Sequence, residues 1–91
     1  AKAAVNQLTR VIAADYAECG IRANVLVPGD FRSQELLSKQ SDREKESIRR
    51  HTWLGRSGSA EEINEAACFL LSDASSYVTG ALFTVDGGFH Q

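Results

Sequence analysis

Two short apolar runs decide what this chain can become. IRANVLV (residues 21–27) lies between Gly20 and Pro28-Gly29, and ALFTV (residues 81–85) runs into Asp86-Gly87-Gly88. Their apolar, β-branched content and their turn-forming boundaries predict strands. The near-continuous apolarity of the first run toward its end predicts burial on both faces. Between them stands SAEEINEAACFLLS, a helix-forming stretch. Two strands joined through a helix are the parts of a right-handed βαβ unit, in which the strands run parallel. A parallel pair with apolar faces is covered only when helices pack on both sides. The expectation is an α/β chain that forms the later portion of a larger doubly wound, mostly parallel sheet. Arg22 and Asn24 interrupt the first run, and a buried Asn24 must find hydrogen-bond partners.

The helices follow from spacing and caps. In AKAAVNQLTRVIAADYAECG, Val5, Leu8, Ile12 and Tyr16 recur at helical intervals among alanines, which predicts a helix from Ala1 to Glu18 stopping at Gly20. Ala1 has no capping residue before it, and the sequence contains no methionine. The chain is therefore expected to be the back part of something longer, with its missing strands upstream. Ser41 and Glu44 stand at capping-box spacing and predict a short helix from Asp42 to about His51. Ser59 and Glu62 repeat that spacing and open a clearer helix, with Ile63, Ala66, Ala67, Leu70 and Leu71 as its buried stripe. Residues 30–55 form a polar, charged excursion between the first strand and this helix. It carries isolated bulky residues: Phe31, Leu36, Leu37, Ile48, Trp53 and Leu54. Its charge run reads as a solvated face.

Composition removes several functional classes. Ninety-one residues suffice for one small domain, and 43 % apolar with 24 % charged residues is ordinary globular composition. A net charge of −2 gives no electrostatic reason to expect nucleic acid or an anionic membrane. No apolar run approaches the roughly 20 residues of a spanning helix. Cys19 and Cys68 read as reduced, structurally inert thiols, as in a cytoplasmic protein. His51 and His90 stand apart from any zinc-ligand spacing, so no metal is expected. There is no G-x-S-x-G elbow and no glycine-rich phosphate loop.

No single residue here declares a reaction, but five blocks occur in one order at tight spacing. They are x-K-A-A-V-x-x-L-T-R, I-R-x-N-V-x-x-P-G, L-G-R-x-G-x-x-E-E-I, F-L-x-S-D-x-S-S-Y-V-T-G and V-D-G-G. Together they resemble the C-terminal part of a short-chain dehydrogenase/reductase of the Tyr-x-x-x-Lys type. The resemblance runs from Ala1 to Phe89 and is weakest from Gln34 to Thr52. It implies one Rossmann-like dehydrogenase domain, of which residues 1–91 are the C-terminal portion and 30–55 the substrate and cofactor lid. The implied order is helix, strand, lid helices, helix, strand.

The resemblance also implies an activity: interconversion of an alcohol and a carbonyl by hydride transfer, with NAD or NADP as cofactor. Lys2 is then the catalytic lysine, stabilising a tyrosinate one helical turn earlier and hydrogen-bonding the nicotinamide ribose. That tyrosine falls before Ala1, as do the family's serine, its glycine-rich turn and the residue that selects NAD or NADP. The chain by itself is thus expected to be inactive. Pro28 and Gly29 end the strand where ligands sit in open α/β sheets. By similarity the Phe31 backbone meets the nicotinamide carboxamide, and the Ser33 hydroxyl meets the carboxamide or pyrophosphate. The family usually has threonine at Ser33; serine keeps the hydroxyl and loses the methyl. Gly55, Arg56, Gly58, Asp73, Gly80 and Asp86-Gly87-Gly88 match the family as scaffold. The implied partners are a small-molecule alcohol or carbonyl and further copies of the chain, in a tetramer or dimer. The alternative is a truncated, non-catalytic oligomerisation module.

Overall fold

The computed structural model describes residues 2–90. In chain order these form α1 (Lys2–Tyr16), a 3₁₀ turn at Ala17–Cys19, β1 (Val25–Pro28), β2 (Phe31–Arg32), α2 (Gln34–Ser38), α3 (Asp42–His51), β3 (Gly58–Ser59), α4 (Ala60–Leu71), a 3₁₀ turn at Asp73–Ser75, and β4 (Leu82–Val85). The chain divides into two units, Ala1–Val27 with Ala67–Phe83 and Pro28–Ala66 with Thr84–Gln91. The expected α/β order is present. β1 pairs with β4. Val25 N–H donates to the Ala81 carbonyl at 2.9 Å and Gly29 N–H to the Val85 carbonyl at 3.0 Å, an equal advance along both strands that makes the pair parallel.

In the first unit, helices flank the strand pair on opposite sides. Leu82 lines a crevice with Val25 and with Asn6, Thr9 and Arg10 of α1, whereas the neighbouring Phe83 ring lies 5.9 Å from that of Phe69 in α4. Successive strand residues point to opposite faces, so α1 covers one face and α4 the other. The α1 residues turned to the sheet are thus small or polar, and Ala13 is the one buried apolar residue there. Val5, Leu8, Ile12 and Tyr16, the stripe that predicted the helix, are exposed.

Four expectations need correction in this unit. The α-helix ends at Tyr16, and a tighter turn continues to Cys19 before Gly20 caps it at φ 77°. The strand begins at Val25 rather than Ile21, because the preceding polar side chains bond elsewhere. Arg22 donates to the carbonyls of Leu70, Ser72 and Val78, satisfying acceptors that the end of α4 leaves free. Asn24 donates to Val78 O and accepts from Ala81 N–H, both at 3.0 Å, which are the partners its position demanded. Last, β1 is half-buried rather than buried on both faces, and Leu71 is 85 % exposed instead of lying in the α4 stripe. Two strands and two helices leave much of this apolar surface without cover. The buried Ser75 hydroxyl, donating toward Leu70 O and Ser72 O, closes the turn after α4.

The second unit is built from the excursion. α3 starts at the expected residue, with Ser41 and Glu44 making both bonds of a capping box, and Arg49, Arg50 and His51 fall in its last turn. Three features lie outside the sequence expectation: α2, the β2–β3 pair, and an antiparallel contact between residues 51–54 and 87–90. β2 and β3 run parallel in the register Phe31↔Gly58 and Arg32↔Ser59. Trp53 N–H donates to Gly88 O and Leu54 N–H to Gly87 O, and His90 N–H to His51 O. Trp53 lies against Gly88, where a Cβ would come within 2.5 Å of the indole. Trp53 is nevertheless 80 % exposed.

Candidate functional site at the end of the first strand

β1 ends at Pro28, which is exposed and has no N–H to continue the ladder. Gly29 follows for a reason the sequence did not disclose. A Cβ there would lie 2.7 Å from both Cα and Cβ of Asp86, so the chain passes the end of β4 with no room for a side chain. Asp86 itself accepts from Gly88 N–H at 2.9 Å, a turn-fixing bond consistent with the scaffold role expected of it. Phe31 sits in β2 with its ring over Gly58, where a Cβ would come within 2.7 Å of the ring. Gly58 N–H donates to Asp30 O at 2.8 Å. The strip 28–33 is therefore anchored through main-chain bonds and two close glycine contacts.

Ser33 is the N-cap of α2 and accepts from Leu36 N–H at 3.3 Å. Its own proton remains available to donate, and the residue is exposed. That leaves an exposed hydroxyl donor just beyond the carboxyl end of β1, chemistry that suits an amide or phosphate oxygen. The signal for α2 was present in the sequence as a serine cap before QELL with Glu35 in the first turn. Lys2 stands in the first turn of α1, in the other unit, and is exposed.

Charged side chains surround the strip. Arg32 donates to Glu44 Oε2 at 3.0 Å and stands 3.5 Å from Asp30 Oδ1. The Arg32 bond, then the Ser41 cap, hold the Glu44 carboxyl below its ordinary value, while Glu44 and then Asp30 raise Arg32. Asp30 Oδ2 accepts from the Ser57 hydroxyl, which in turn accepts from Gln40 Nε2 at 2.8 Å. Arg56 meets Glu62 through two bonds of 2.9 and 3.0 Å. That fork and the Ser59 N–H bring the Glu62 carboxyl down to about 2. A cavity of about 580 Å³ opens among Leu37, Gln40, Lys45, Ile48, Arg56 and Glu62. Among the described residues no group of three or more His, Cys, Asp or Glu could hold a metal ion.

Comparison with known proteins gives this geometry its context. Residues 1–90 match a family model described as enoyl-(acyl carrier protein) reductase. Galactitol 2-dehydrogenase (L-tagatose-forming) of Cereibacter sphaeroides is 47 % identical over 90 residues, which are 97 % of this chain and 35 % of that protein. The chain belongs to the short-chain dehydrogenase/reductase family. Inactive 2-(S)-hydroxypropyl-CoM dehydrogenase 2 of Xanthobacter autotrophicus is also 47 % identical, over 93 residues covering 97 % of this chain and 40 % of that one. The crystal structure of a hydroxysteroid dehydrogenase from Escherichia coli superimposes with a TM-score of 0.86 at 38 % identity, covering 99 % of this chain and 37 % of the other. The Rossmann-like fold follows from these matches, and the relatives themselves are named as dehydrogenases. The chain spans well under half the length of the curated relatives it matches.

Proposed function

We propose that the chain is the C-terminal part of an NAD(P)-dependent oxidoreductase that interconverts an alcohol and a carbonyl, with residues 30–55 as its lid. The observation that carries the reading is the strip 28–33: a strand end with no N–H at Pro28 and an exposed hydroxyl donor at Ser33. Beyond the carboxyl ends of strands is where ligands bind in open α/β sheets, which supports the reading. When bound, the nicotinamide supplies the hydride acceptor or donor. Pro28 and Gly29 would leave room for it at the end of the strand, the Phe31 main chain would bond the carboxamide, and Ser33 would donate to a carboxamide or pyrophosphate oxygen. Lys2 would hydrogen-bond the ribose and favour the anionic form of a proton-transferring tyrosine one turn earlier.

The substrate class stays at small-molecule alcohols and carbonyls. Relatives at comparable identity are named for galactitol, for a 7alpha-hydroxysteroid and for 2-(S)-hydroxypropyl-CoM, so the shared blocks do not choose among them. The cofactor is NAD or NADP. A cytoplasmic location and a dimeric or tetrameric assembly belong to the same reading. The exposed apolar stripe of α1 supports assembly. No helix among the described residues is long and apolar enough to cross a membrane.

That same stripe favours a second reading, a non-catalytic oligomerisation module. Fluorescence titration of the full protein with NADH and NADPH separates the two: saturable binding of either supports the enzyme, and oligomers that bind neither support the module.

A further inference from the structure

We propose that Asp30 is a positioning residue that latches the junction between the two lid helices onto the cofactor strip. The inference rests on reading residues 28–33 as that strip and 30–55 as the lid. Its basis is that two chains of side-chain bonds leave one carboxylate and arrive on either side of one loop. From Oδ2 the path runs through the Ser57 hydroxyl to Gln40 Nε2. From Oδ1 it runs past Arg32, 3.5 Å away, to Glu44 at 3.0 Å. Gln40 and Glu44 flank Ser41, where α2 gives way to α3, and Glu44 also closes the capping box that starts α3.

The two ends of the latch differ in how they are held. Asp30 is fixed through its main chain, its carbonyl accepting from Gly58 N–H at 2.8 Å beside the Gly29–Val85 bond of 3.0 Å. Ser57 is buried, at 6 % exposure, and its hydroxyl is satisfied on both sides. The Gln40–Glu44 segment reaches this anchor through side chains. A buried serine bridging a carboxylate and an amide costs desolvation, and that cost is offset only while all three groups stay together. Opening the junction would break the Gln40–Ser57 and Arg32–Glu44 bonds and leave the buried Ser57 hydroxyl one partner short, so the latch favours the lid in place over the strip.

Hydrogen exchange on the full protein tests this. Asp30→Ala removes the carboxylate that holds Ser57 and Arg32 at the root of both arms, and is expected to speed exchange in residues 34–51 by about tenfold, two net hydrogen bonds' worth, while residues 60–71 of α4 exchange as in the wild type. Ser57→Ala removes only the Gln40 arm and should give about threefold, and Ser57→Thr, which keeps the hydroxyl, should restore protection. Dissociation constants for NADH and NADPH should stay within about twofold in the two Ser57 variants, because Ser57 lies outside the strip and the lid. Wild-type exchange across 34–51 in Asp30→Ala overturns the latch, as does equal acceleration in Ser57→Ala and Ser57→Thr. If Asp30→Ala also loosens α4, the Gln40→Ala and Glu44→Gln double variant repeats the test from the lid side, and unchanged exchange there overturns the latch. A wild type that binds neither dinucleotide fails the cofactor reading, while the exchange pattern still decides the latch.

Discussion

Gly29→Ala puts a methyl carbon where the end of β4 already is. The added Cβ would stand 2.7 Å from Asp86 Cα, 2.7 Å from Asp86 Cβ and 3.2 Å from Asp86 O. Carbon pairs are at their best near 3.5–4.0 Å, and two of these three atoms are backbone, which cannot rotate away. Overpacking of this kind costs about 1–3 kcal/mol. Relief by moving Gly29 stretches its 3.0 Å bond to Val85 O, which removes about 0.5–1.5 kcal/mol more. Alanine's stiffer unfolded chain returns at most about 1 kcal/mol. The net expectation is destabilisation of about 1–3 kcal/mol. Urea unfolding of the full protein, followed by far-UV circular dichroism at fixed protein concentration, reads this as a lower midpoint with an unchanged slope. A midpoint within error of the wild type would show that Gly29 is not held against Asp86, and the anchoring of the strip would fall with it.

Three further outcomes follow from other parts of the chain. Arg22→Ala strips three carbonyls of a charged donor and should cost about 2–4 kcal/mol, seen as a lower thermal midpoint; a change below about 0.5 kcal/mol would mean that water replaces the guanidinium without loss. Lys2→Ala in the full protein should lower turnover by about 10²–10⁴ with the fold intact by circular dichroism, and unchanged turnover would remove Lys2 from the catalytic set. Glu62 has its carboxyl depressed from 4.5 to about 2 by the Arg56 fork, so the unfolded chain takes up the proton first. The stability it adds is present above pH 4.5 and is lost as pH falls from there through 2. In Glu62→Gln the acid limb of a thermal-midpoint profile should be flatter over that interval, by a small amount because the pair is exposed and screened by salt; identical limbs would refute the pairing.

The parts of the fold carried by local rules were readable in the sequence. Both S-x-x-E signatures mark real helix starts, since a cap depends on residues three apart and on little else. Gly20 ends the first helix in the left-handed conformation expected of it. The parallel arrangement of β1 and β4 followed from their connection through a helix, as in a βαβ unit. Burial was less legible. Leu71 and the Val5–Tyr16 stripe look like core in a one-dimensional pattern, yet burial needs a second surface, and these residues have none within the chain. The site was legible only as types of residue. Pro28 ends the strand and Ser33 caps a helix, both on local rules, but the contact of Gly29 with Asp86, 57 positions on, has no local signature. The same holds for Ser57 between Asp30 and Gln40, because a hydroxyl's partners depend on which loops the fold brings together. Trp53 looked like a lid residue, and the match of its ring to Gly88 depends on an antiparallel contact that no alternating pattern announces.

The central proposal is that residues 28–33 of this chain contribute to a nicotinamide-dinucleotide site. The most direct measurement is titration of the full protein with NADH and with NADPH, followed by cofactor fluorescence, alongside the Ser33→Ala variant. The account predicts saturable binding of at least one dinucleotide, weakened about three- to tenfold by loss of the Ser33 hydroxyl, as one hydrogen bond to a ligand implies. Saturable binding that Ser33→Ala leaves untouched would take Ser33 out of the site, and a folded full protein that binds neither dinucleotide would contradict the account.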